Sequence, residues 1–160
     1  MKVERLMKTD VNACRPDDTG NCAARIMWER DCGFVPIVDE NERVLAVVTD
    51  RDLCMAAYTQ GKPLQEISLH SVMSKEIFSC RPDEDLSQAE ILMRKRQVRR
   101  LPVTDAEGRL KGILSLSDIT REAAKEAKSH PRKVEVSYSE VAETLADINI
   151  PRTGRQASLH

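Results

Sequence analysis

The sequence predicts an α+β fold built from two copies of one β-α-β-β-α unit, followed by a helical tail. Three observations predict it. Shifted by 66 positions, the chain matches itself without a gap: 12 of the 47 positions in 7–53 are identical in 73–119, against about 3 expected from average residue usage. Helical and strand periodicities alternate in the same order in both copies. The 160 residues, 41% hydrophobic and 32% charged, suit a globular chain large enough to bury a core. A period this long marks a duplicated small domain rather than a solenoid of short units. The copies are expected at 1–62 and 63–124, with 125–160 as an extension.

In each copy a short turn ends at Met7 or Met73, and a brief strand is expected around Ala13–Cys14 or Phe78–Cys80. The run Cys14-Arg15-Pro16-Asp17, repeated as Cys80-Arg81-Pro82-Asp83, breaks that strand and opens a helix, 19–31 in the first copy and 85–97 in the second. Ala23, Ile26 and Met27 share one face of the first helix. Leu86, Ala89, Leu92 and Met93 share one face of the second. The apolar runs Phe34–Val38 and Leu101–Val103 read as strands, each holding a proline and ending at Asp39 or Asp105. Polar turns lead from them to Val44–Val48 and Leu110–Leu114, which makes a hairpin in each copy. Each copy closes with a helix opened by Thr49-Asp50-Arg51-Asp52 or Ser115-Leu116-Ser117-Asp118. In the extension, Val134 and Val136 alternate like a short strand. Ser137-Tyr138-Ser139-Glu140 is a capping box, opening a helix over about 138–148 with Val141, Leu145 and Ile148 on one face. The stretch from Pro151 reads as disordered.

Composition excludes several functions. A net charge of −1, from 25 basic and 26 acidic residues, argues against bulk nucleic-acid binding. Aromatics at 3% leave little for base stacking, so the Arg94–Arg100 cluster is the one basic feature pointing the other way. No apolar run reaches the length of a membrane span, and the charged start Met1–Arg5 has no signal-peptide character. Five cysteines without a C-x-x-C pair disfavour a disulfide framework or zinc ribbon, and a reducing cytoplasm is expected. Cys14 and Cys80 read as small buried hydrophobes. Cys22, Cys32 and Cys54 are given no redox role, and no metal site is expected. His70, His130 and His160 fall in a linker or the tail with no nucleophile beside them, so no triad and no catalytic residue is assigned.

The order β-α-β-β-α, the proline in the middle strand and the closing Thr/Ser-x-x-Asp resemble the CBS domain, named for cystathionine β-synthase. The pieces that carry the resemblance are Val35-Pro36-Ile37-Val38-Asp39 with Val47-Val48-Thr49-Asp50-Arg51-Asp52-Leu53, and Arg99-Arg100-Leu101-Pro102-Val103-Thr104-Asp105 with Gly112-Ile113-Leu114-Ser115-Leu116-Ser117-Asp118-Ile119. The resemblance covers about 3–124. It implies a pseudo-two-fold pair, the Bateman module, with two clefts that hold adenosine ligands such as AMP, ADP or ATP, and less often NAD or S-adenosylmethionine. It also implies a homodimer, and a regulator acting in trans on an unidentified target protein rather than an enzyme. The alternative is a ligand-free scaffold for homodimer or hetero-oligomer assembly.

Asp52 and Asp118 are the ribose-binding residues the resemblance implies. A carboxylate accepts two hydroxyl hydrogen bonds at once, which suits a ribose 2′,3′-diol. Both residues also fit helix caps, and the two roles are compatible because a helix N-terminus favours anions. Thr49 and Ser115 stand as phosphate contacts or as simple caps. Arg51, Arg99 and Arg100 are further phosphate candidates, since guanidinium pairs bidentately with phosphate. The first copy carries Gly33 and Phe34 where the second carries Arg99 and Arg100, so the cleft using Asp118 is expected to be the phosphate-rich one. For the adenine pocket the resemblance implies the loops holding Val11 and Asn12, and Ile77 and Phe78, with Val47 and Ile113 as walls. Each of these also suits core packing. Which loop closes over which aspartate stays open.

Overall fold

The repeated sequence folds twice in the same way. The structure, a computed structural model, describes residues 1–74, 76–129 and 134–150. The first unit holds α1 (Gly20–Glu29), β1 (Phe34–Val38), β2 (Val44–Thr49) and α2 (Asp50–Gln60). The second holds α3 (Leu86–Arg96), β3 (Arg100–Thr104), β4 (Leu110–Ser115) and α4 (Leu116–Ser129), and α5 (Tyr138–Ile148) follows. Each unit has a two-stranded antiparallel sheet, β1 with β2 and β3 with β4. The registers correspond: Pro36 faces Val47 and Pro102 faces Ile113. A proline is tolerated here because its backbone faces away from the β1–β2 or β3–β4 ladder, toward the short Cys14 or Cys80 segment, so the hairpin loses no donor.

The expected strands at 13–14 and 78–80 are single parallel bridges, Cys14 to Ile37 and Cys80 to Val103. The following Arg-Pro steps stop them from lengthening, since proline lacks the donor a ladder needs. The bridges are nonetheless well made: Pro36 accepts from the Cys14 N–H at 3.0 Å and Pro102 from the Cys80 N–H at 3.1 Å.

Each leading segment packs on the partner unit. Val3 lies in one buried cluster with Leu86, Met93, Leu101, Leu114 and Ile119 of the second unit. Leu69 lies in another with Cys14, Ala23, Val35, Val48 and Leu53 of the first. The matching backbone bonds are 66 residues apart: Leu86 N–H to the Met1 carbonyl at 2.9 Å, and Gly20 N–H to the Ile67 carbonyl at 2.8 Å. The two hairpin turns also meet. Val44 N–H reaches the Gly108 carbonyl at 3.0 Å, and Leu110 N–H reaches the Glu42 carbonyl at 2.9 Å. Such a reciprocal pair is the signature of a two-fold relation, and Arg43 bridges Arg109 beside it.

Helix α5 packs on α3 and α4 of its own chain. The capping box at Ser137 and Glu140 forms. The buried stripe is Val141, Thr144 and Ile148, spaced at i, i+3 and i+7, while Leu145 is exposed. That corrects the Val141–Leu145–Ile148 face. Val134 and Val136 form no strand. The N–H groups of Glu135 and Val136 instead donate to the Glu126 carboxylate at 2.7 and 3.0 Å, and Val136 is buried in the second core. The stretch from Pro151, His130 and His160 lie outside the described residues. Among the described residues, no helix is long and apolar enough to cross a membrane.

Candidate functional site

Two equivalent corners carry the predicted polar residues, one at each β-to-α junction. In the first, the Thr49 N–H and hydroxyl both donate to Asp52 Oδ2, at 2.9 and 2.7 Å, and the Asp52 N–H donates back to the hydroxyl at 3.2 Å. In the second, Ser115 treats Asp118 identically: its N–H lies 3.0 Å from Asp118 Oδ2, its hydroxyl bonds the same oxygen, and the Asp118 N–H returns at 3.2 Å. Both junctions are capping boxes. The Thr49 and Ser115 hydroxyls are engaged inside these caps, and must rotate to reach a phosphate.

The corners differ at the second carboxylate oxygen. Asp118 is 7% exposed, and its Oδ1 pairs with the Arg121 guanidinium one turn along α4. The corresponding position in α2 is Met55, and among the described residues no side chain bonds Asp52 Oδ1. The first turn of α2 carries Asp50 beside Asp52, whereas α4 has Leu116 and Ser117 there. Two acids favour the helix dipole but repel an anionic ligand. Gly33 leaves room for the Asp50 carboxylate, which a Cβ at that position would push aside.

Backbone register fixes the course of the two leading loops. Lys8 exchanges both backbone bonds with Ile113 on β4, at 2.9 Å each. Six residues later Cys14 lies along Ile37 on β1. The segment 8–14 thus crosses from the second sheet to the first. The parallel register carries Val11 and Asn12 toward the Phe34 end of β1, and Phe34 pairs with Thr49. The register thus brings the backbone of Val11 and Asn12 toward the end of β1 that pairs with Thr49, with Ile113 at the start of the crossing. By the same logic Ser74 bonds the Val47 carbonyl at 2.8 Å, and Cys80 lies along Val103. Ile77 and Phe78 run toward Arg100, which pairs with Ser115. The register thus brings the backbone of Ile77 and Phe78 toward the end of β3 that pairs with Ser115, with Val47 at the start of the crossing. Gly112 permits the first crossing: a Cβ there would sit 2.6 Å from the Lys8 carbonyl oxygen.

Several predicted residues have additional partners. Phe78 packs against the second core, and the Arg96 guanidinium stands 4.5 Å from its ring centroid. Arg99 is exposed and bonds Asn149 just past α5. Gln97, in left-handed geometry at the end of α3 (φ 52°), donates to the Asp147 and Ile150 carbonyls at 3.3 and 3.0 Å. The tail thus reaches Gln97 and Arg99, just before β3. Sequence reasoning missed Arg121 and Asn149. Arg121 was discoverable as an i, i+3 partner of Asp118. Asn149, 50 positions from Arg99, left no local signal.

Among the cysteines, Cys14 and Cys22 meet, sulfur to sulfur, at 3.3 Å. Burial pushes the Cys14 thiol up, with the Cys22 contact adding to it. Burial also pushes the Cys80 thiol up to about 12, with the nearby Glu84 adding to it.

The CBS domain model matches this chain twice, at residues 3–58 and 69–125. The CBS domain-containing protein YhcV of Bacillus subtilis is 34% identical over 117 residues, covering 73% of this chain and 81% of that protein. An uncharacterised protein of Methanopyrus kandleri is 32% identical over 119 residues, covering 74% of this chain. The chain spans only 61% of that relative, and 23% of the inosine-5′-monophosphate dehydrogenase of Methanocaldococcus jannaschii that it also matches. Among solved structures, CBSX2 in complex with AMP superposes with a TM-score of 0.68 at 26% identity, covering 79% of this chain and 98% of that one.

Proposed function

We propose that this chain, which belongs to the CBS-domain family, is a regulatory module that binds an adenine nucleotide, AMP, ADP or ATP, in its two clefts and acts on a partner protein. The observation that carries this reading is the pair of repeat-related carboxylates, Asp52 and Asp118. Each stands at a helix start where a crossing loop approaches the same strand ends. The AMP complex of CBSX2 supports the ligand class.

A ribose diol would bond the outer oxygen of each carboxylate, while the capping oxygen keeps the helix start in place. In the first cleft the Asp52 outer oxygen is the acceptor. In the second the diol displaces or shares Arg121, which then turns toward the phosphates with Arg99 and Arg100. Asp50 and Asp52 together disfavour phosphate charge in the first cleft, despite Arg51. Adenine lies against Val11, Asn12 and Ile113 in the first cleft, and against Ile77, Phe78 and Val47 in the second.

The ligand regulates through unequal affinity for two states of the module, as linkage requires. Trp28 on α1, 89% exposed, and Tyr58 on α2, 81% exposed, support the homodimer that helix stacking would form. Cytoplasmic residence fits the five free cysteines.

A thermal-shift panel of AMP, ADP, ATP, NAD and S-adenosylmethionine, each at about 1 mM, tests the reading. A ligand at about 100 times its Kd stabilises by about 2.7 kcal/mol, a shift of several degrees. A flat panel would instead support the assembly scaffold.

A further inference from the structure

Three side chains in the first unit converge outside both aspartate corners. Cys14 is buried where the 8–14 crossing meets β1, and Cys22 lies in the first turn of α1. Their sulfurs are 3.3 Å apart, and a carboxylate oxygen of Asp18 completes a set whose atoms all lie within 4.8 Å of one another. We propose that Cys14, Asp18 and Cys22 form a binding site for a thiophilic divalent cation of the zinc class.

The donor set fits that chemistry. Thiolate sulfur and carboxylate oxygen are both zinc ligands, and two sulfurs at about 2.3 Å from a tetrahedral ion stand about 3.8 Å apart. The pair needs to open by only about half an ångström. Asp18 is already oriented: the Arg15 N–H donates to its Oδ2 at 2.7 Å, and the Asp18 N–H closes the turn onto the Arg15 carbonyl at 3.1 Å. Such outer bonds fix a ligating carboxylate. Three protein ligands leave the fourth position to water or to a group from a partner. Binding converts both thiols to thiolates and releases two protons to solvent.

The second unit serves as an internal control. Cys80, Glu84 and Gln88 occupy the positions of Cys14, Asp18 and Cys22. The strand thiol and an acid persist there, but the second sulfur does not. The cation site is therefore private to the first unit. It clips the 8–14 crossing to α1, and it stands whether or not the clefts take nucleotide.

The test uses the full chain, reduced, stripped with a chelator and titrated with Co(II) as an optical probe. The expected result is one Co(II) per chain with a thiolate-to-metal charge-transfer band. One equivalent of Zn(II) should abolish the band and Mg(II) should not. Cys22→Ser should lose it, Asp18→Asn should weaken binding at least 10-fold, and Cys54→Ser, at an exposed thiol outside the set, should behave as wild type. Circular dichroism of each variant separates loss of metal from loss of fold. Absence of the band in wild type, or full retention in a folded Cys22→Ser, overturns the proposal. So does a reduced pair that takes no metal but closes to a disulfide in air.

Discussion

Glu90 on α3 should make the docking of α5 depend on pH. It is 5% exposed, and its Oε1 has no hydrogen-bond partner among the described residues. Burial pushes its carboxyl up from 4.5 to about 6, Glu140 on α5 pushes in the same direction, and Arg94 opposes them. Arg94 is itself drawn toward Glu143 of α5, at 3.3 Å. A carboxyl held higher in the folded than in the unfolded chain stabilises only while protonated. Its benefit is complete below pH 4.5 and is lost as pH rises through about 6. At about 1.4 kcal/mol per tenfold change in proton affinity, the ionised group costs the fold about 2 kcal/mol at pH 7. Glu90→Gln keeps the shape and removes the charge. It should raise unfolding free energy by about 1–2 kcal/mol at pH 7 and leave it nearly unchanged at pH 4.5. Urea denaturation followed by circular dichroism at the two pH values measures both. An equal effect at the two pH values would refute the burial argument, and a loss at pH 7 would reverse it.

Other expectations follow from single contacts. Gly112→Ala should destabilise by about 1–3 kcal/mol, because the new methyl group meets the Lys8 backbone oxygen rather than a movable side chain; chemical denaturation reads this directly. Asp118→Ala removes the α4 cap and leaves Arg121 without its carboxylate, so it should cost about 1 kcal/mol in the absence of any ligand. Asn149→Ala should release Arg99 and steepen the response from AMP to ATP in titration calorimetry. Arg100→Ala should flatten it, and unchanged affinities for AMP, ADP and ATP would remove Arg100 from the phosphate assignment.

The fold was legible because duplication prints each element twice. Pro36 and Pro102, and the caps at Thr49 and Ser115, gave local signals that the structure repeats to within a residue or two. The crossing of the leading segments was not legible, because Val3 and Leu69 find their cores through contacts long in sequence. For the same reason the course of the leading loops, set by the bridges Lys8–Ile113 and Val47–Ser74, has no local signal. At the candidate site, the aspartates were visible as half of a capping box, but their surroundings were not. Arg121 separates two carboxylates that look alike in sequence. Cys14 and Cys22, eight positions apart across a turn, meet only because the Arg-Pro step folds α1 back onto the crossing segment.

The most direct test of the central claim is equilibrium binding of AMP to the wild-type chain, to Asp52→Ala, to Asp118→Ala and to the double variant, with folding of each checked by circular dichroism. Two adenosine clefts predict saturable binding in wild type, loss of one class of site in each single variant, and no binding in the double. Undiminished binding in the folded double variant would contradict the assignment of the ribose carboxylates. Absence of binding in wild type would contradict the sensor itself.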